Sequence, residues 1–138
     1  MSAVVPTKEQ SLRTLRIIHI AFVISMFMQM YVLVVTRKEP IDPLDRTFVY
    51  GLMAVALSLS AACLAMRFFV LPKIDEEAAA IDTISPRRPS FYIIAFALCE
   101  SVWLFGFVLS FLGEPLSTAI TFLAIALILM TLCFPRQV

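Results

Sequence analysis

Glu100 has the strongest claim to chemistry, because it is the one charged side chain in the apolar stretch 90–113. On a helix that crosses a bilayer it would lie about 2 Å from the midplane, counting 1.5 Å per residue from the centre of the stretch. An acid at that depth costs roughly 3 kcal/mol, offset by the stretch's thirteen Leu, Ile, Val and Phe residues at about 0.3–0.6 kcal/mol each. Desolvation disfavours the anion, so a neutral carboxyl that can both donate and accept hydrogen bonds is expected. Two chemistries are then open. The carboxyl bonds polar groups on neighbouring helices and fixes their packing, or it reversibly binds a proton or cation, the default role of an intramembrane acid. Counted on their own stretches, Ser25 and Ser58 fall level with Glu100, Gln29 lies within about one turn, and Trp103 follows by three residues. These four are the expected hydrogen-bond partners.

Other reactive side chains are sparse. His19 has the only side chain with an ordinary pKa near neutrality, but it falls about 11 Å from the midplane and reads as an interfacial anchor rather than a proton-entry group. Cys63, Cys99 and Cys133 all lie inside apolar stretches and are odd in number, which suits small buried hydrophobes rather than a disulfide framework. With one histidine, no Cys/His metal cluster is expected. Met26, Met28 and Met30 alternate and cannot share one helical face, so they read as adaptable packing rather than a soft-metal site. No nucleophile stands beside a base and there is no phosphate-binding loop, so neither an enzyme nor a cofactor is expected.

The segment Ala97-Leu98-Cys99-Glu100-Ser101-Val102-Trp103-Leu104-Phe105-Gly106-Phe107-Val108-Leu109 resembles the carboxylate helix of rotary ATPase proteolipid subunits, in which an Ala-Leu-x-Glu start leads to a glycine six residues after the acid. The resemblance covers about a tenth of the chain. It implies that Glu100 takes the place of the ion-carrying carboxylate. The glycine-rich packing helix of that family has no counterpart here, where Gly51, Gly106 and Gly113 are the only glycines.

The elements that must position these residues follow from composition. Of 138 residues, 61% are hydrophobic and 15% charged, and the mean hydropathy is +0.94. A soluble domain is nearer half apolar and a quarter charged. The apolar residues gather into four stretches, 17–36, 47–66, 90–113 and 115–135, each long enough for a bilayer. The sequence therefore predicts a single all-α membrane domain, an integral four-helix up-down bundle, with any chemistry confined to the bilayer or to short loops. No cleavage site follows the first stretch, which reads as a retained anchor. Gly113-Glu114-Pro115 makes the last two helices antiparallel neighbours. Pro40 and Pro43 mark a solvated turn between the first two, and the longer connection 67–89 holds a short interfacial helix over 72–81.

Near the ends of the stretches, eight Lys and Arg fall on the side of the termini and three on the other, so both termini are expected in the cytoplasm. Small residues at Gly51, Ala54, Ser58 and Ala62 offer a face for close helix approach. Tyr50 and Tyr92 fit an interfacial aromatic belt. A net charge of +1 gives no footprint for nucleic acid. The expected partners are the lipid bilayer and other membrane subunits or further copies of the chain. Two functions agree with all this: a non-catalytic accessory or structural subunit of a membrane complex or homo-oligomer, or a proteolipid-like proton or cation carrier using Glu100.

Overall fold

The computed structural model describes residues 8–36, 44–80 and 87–135. All regular structure among them is helical: α1 (Lys8–Thr36), α2 (Arg46–Ala65), a π-helical turn (Met66–Val70), α3 (Leu71–Ala80), α4 (Arg87–Phe111) and α5 (Leu116–Leu132). The fold is an all-α bundle. Three helical segments are long and apolar enough to cross a membrane: Glu9–Thr36, Arg46–Glu77 and Arg88–Phe111. The fourth expected span is shorter than the 21 residues read from the sequence. α5 has 17 residues, because Pro115 sets its start and the chain leaves the helix at Cys133.

The second span also departs from expectation. Helix does not stop at Met66. It continues through Arg67, with the Leu71 N–H bonded to the Met66 carbonyl, one residue wider than the α pattern. This widened turn ends two residues before Pro72, which has no N–H and whose ring crowds the carbonyl four residues back in an ordinary helix. The π turn absorbs that conflict and lets α2 run on into α3. At its other end α2 is capped by Asp45, whose carboxylate accepts from the Thr47 N–H at 3.0 Å.

α4 is the hub, packing against α1, α2 and α5. The buried positions recur every seven residues: Met26 and Leu33 on α1, Val49, Ala56 and Cys63 on α2, Ala119 and Ala126 on α5 with Cys133 just beyond it, and Ala95, Val102 and Leu109 on α4. A seven-residue recurrence keeps one seam of a helix facing its partner over many turns. This selects the small residues that pack. Gly51, Ala54, Ser58 and Ala62, expected to form the packing face, are exposed instead. A Cβ added to Gly51 would meet nothing within 4 Å, and Ser58 Oγ donates to the Ala54 carbonyl of its own helix. Those four recur mostly at fours and lie off the seam marked by Val49, Ala56 and Cys63.

α4 and α5 approach closely at Gly106. A Cβ on Gly106 would stand 2.3 Å from the Cβ of Phe122, so only glycine admits this contact. One turn later, buried Ser110 donates to the Pro115 carbonyl at 3.1 Å and accepts from the Ala119 N–H at 3.2 Å, satisfying backbone groups at the start of α5. Between the two helices Gly113 takes φ of 126°, a conformation L side chains rarely adopt.

Candidate functional site

Glu100 faces α1. Its Oε1 accepts from Ser25 Oγ at 2.9 Å and from Gln29 Nε2 at 3.2 Å. Gln29 Nε2 also donates to Ser25 Oγ at 3.1 Å, and its Oε1 accepts from Trp103 Nε1 at 2.7 Å. The periodicity of the helices builds the cluster. Ser25 and Gln29 are four apart on α1, and Glu100 and Trp103 are three apart on α4, so each pair shares a face. The chemistry then sets the orientation. An indole N–H can only donate, so the Gln29 carbonyl oxygen must turn to Trp103, leaving the amide N–H groups for Ser25 and Glu100. Trp103 is fully buried, while Ser25, Gln29 and Glu100 are half-buried.

Ser25, Gln29 and Trp103 are therefore brought to Glu100 and Ser58 is not. Ser58 lies at matching depth, but depth says nothing of azimuth, and its exposed side of α2 points away from α4. Both donors reach the same carboxyl oxygen, Oε1. Among the described residues no ionisable side chain bonds Glu100.

His19, read from the sequence as an interfacial anchor, packs inside the bundle. It is buried, with the Phe96 and Phe134 rings edge-on at centroid distances of 5.1 Å each, and its Nδ1 has no hydrogen-bond partner among the described residues. Arg16 lies over the same Phe134 ring, 5.7 Å from its centroid.

The cysteines correct a second expectation, that no cluster of metal-ligating side chains forms. Cys63 Sγ is 3.0 Å from Cys99 Sγ and 3.8 Å from Cys133 Sγ, and all three sulfurs lie within 4.8 Å of one another. They are free thiols, all buried, from α2, α4 and the end of α5. Counting depth along each stretch puts Cys99 about 6 Å from Cys63 and about 8 Å from Cys133, which conceals the meeting. Side chains tilt toward the N-terminus of their own helix, however, so Cys99 on α4 and Cys133 at the end of antiparallel α5 lean toward each other. The recurrences 49, 56, 63 and 119, 126, 133 are the sequence signal that puts Cys63 and Cys133 on seam positions.

One further polar cluster ties α3 to the start of α4. Arg88 Nε bonds Asp75 Oδ1 at 2.8 Å, the Tyr92 hydroxyl donates to Asp75 Oδ2 at 2.9 Å, and the Arg88 guanidinium lies 5.8 Å from the centre of the Tyr92 ring. Tyr92, expected in an interfacial aromatic belt, is buried, and its hydroxyl has this carboxylate as acceptor. No protein-family model, curated protein or solved structure matches the chain.

Proposed function

We propose that this chain is a small membrane-embedded structural or accessory subunit, spanning the bilayer four times with both termini in the cytoplasm, and that Glu100 is the clasp between α1 and α4. The observation that carries this reading is the closed set of bonds among Ser25, Gln29, Glu100 and Trp103. A carboxyl whose Oε1 already accepts two side-chain donors from the next helix fixes helix packing without a transported ion. Partnership with other subunits or further copies draws support from the outward faces. Phe27, Tyr31 and Val35 on α1 and Leu57 on α2 are largely exposed, as suits lipid, and the small residues Gly51, Ala54, Ser58 and Ala62 are exposed beside Leu57.

A second reading, proton or cation carriage by Glu100, is favoured by one observation. The carboxyl is only half-buried and its second oxygen takes no bond among the described residues. The likeness of 97–109 to the proteolipid carboxylate helix points the same way. Native mass spectrometry of gently extracted material, with hydrophobic carbodiimide labelling and proton flux in proteoliposomes, separates the two. A structural subunit travels with partner chains or as an oligomer, and Glu100→Gln leaves flux unchanged. A carrier is labelled at Glu100 and loses flux in Glu100→Gln.

A further inference from the structure

We propose that Cys63, Cys99 and Cys133 form a three-thiolate site for a soft metal ion, and that monovalent copper is the ion whose coordination chemistry fits it. The site is independent of the Glu100 reading. Its donor set is sulfur alone, which excludes the oxygen-seeking Mg²⁺ and Ca²⁺ and selects thiophilic ions. It also holds three donors rather than four. Among the described residues no His, Asp or Glu atom joins the sulfurs within the same reach. Structural zinc takes four protein ligands, so a trio of thiols without a fourth donor suits an ion content with three.

The spacing agrees. Three sulfurs at about 2.3 Å from a central ion, in one plane with it, would be about 4 Å apart. Cys63 and Cys133 already stand at 3.8 Å, and Cys63 and Cys99 at 3.0 Å need to open by about 1 Å. Each sulfur comes from a different helical segment, so one ion would staple α2, α4 and α5 together at the seam. Binding displaces the thiol protons and leaves negative charge around a monovalent ion. Arg67 acts electrostatically on Cys133 and opposes that charge.

The test uses the full chain purified in detergent under reductant. Cu(I) is offered in competition with a chromophoric Cu(I) chelator, and the coordination shell is read by X-ray absorption. The wild-type chain should retain one copper per chain, with three sulfur neighbours at about 2.3 Å. Cys63→Ser, Cys99→Ser and Cys133→Ser should each weaken retention by more than about 100-fold, beyond the 10–100-fold that loss of an outer group costs, while Thr121→Ala, on the exposed side of α5, retains copper fully. Helical circular dichroism identifies any variant that fails to fold, and the wild-type absorption spectrum stands without the variants. No copper held against the chelator, a shell without three sulfurs, or Zn(II) bound more tightly than Cu(I) would overturn the assignment.

Discussion

Ser25 and Glu100 are 75 residues apart in sequence, yet Ser25 Oγ donates to Glu100 Oε1 at 2.9 Å, joining α1 to the hub helix α4. Hydrogen bonds between helices in membrane proteins are worth about 0.6 kcal/mol on average and up to about 1.7. Glu100→Leu removes two such bonds and leaves Ser25 and Gln29 short of an acceptor, so a loss of about 1–3 kcal/mol is expected. Glu100→Gln keeps an acceptor and should cost less than about 1 kcal/mol. Reversible unfolding in mixed detergent, followed by helical circular dichroism, measures both. Equal losses in the two variants would argue that charge, not hydrogen bonding, matters at this position.

The α4–α5 contact has a sharper steric requirement. Gly106→Ala puts a methyl 2.3 Å from Phe122 Cβ, and overpacking of this kind typically costs about 1–3 kcal/mol. Because the clash is with the start of the Phe122 side chain, Phe122→Ala still leaves Cβ in place and should give little rescue. Phe122→Gly in the Gly106→Ala background should restore part of the loss. The same unfolding assay reads the three variants.

At the junction of α3 and α4, Asp75 receives both Arg88 and Tyr92. Asp75→Leu removes the carboxylate that joins Arg88 and Tyr92 and should cost about 1.5–3 kcal/mol, while Tyr92→Phe removes one bond to a charged group and should cost less than Asp75→Leu. Hydrogen exchange by mass spectrometry should show faster exchange over residues 71–80 in Asp75→Leu, with α5 unchanged. Unaltered protection of α3 would count against the latch.

The two faces of α2 should respond oppositely. Ala56 is buried on the seam, so Ala56→Leu forces extra volume into the bundle at about 1–3 kcal/mol. Ser58 and Ala62 are exposed, and Ala62→Leu should change bundle stability by less than about 0.5 kcal/mol. If that outer face meets another subunit, Ala62→Leu disrupts the association seen by native mass spectrometry while leaving unfolding untouched. Loss of bundle stability in Ala62→Leu would contradict the outward placement of the small-residue face.

Much of this architecture is legible from residue type and spacing. The apolar stretches, the turn at Gly113 and the depth match of Ser25 with Glu100 follow from helical rise and bilayer thickness. Azimuth is harder to read. Ser58 has the right depth on the wrong face, and Ala54, Ser58 and Ala62 mimic a packing stripe because α2 is rich in small residues on every side. Only the seven-residue recurrence of Val49, Ala56 and Cys63 marks the true seam. The thiol cluster and the Asp75 latch escape the sequence for a different reason. Each joins side chains whose separate depths differ, and they meet through side-chain tilt and through the continuation of α2 into α3 across Pro72.

The claim that Glu100 clasps α1 to α4 is tested most directly by a double-mutant cycle of Gln29→Leu and Glu100→Leu, read by reversible unfolding in a bilayer-like detergent. A coupling of about 0.5–1.7 kcal/mol between the two positions is expected. Additive losses, with coupling indistinguishable from zero, would contradict it.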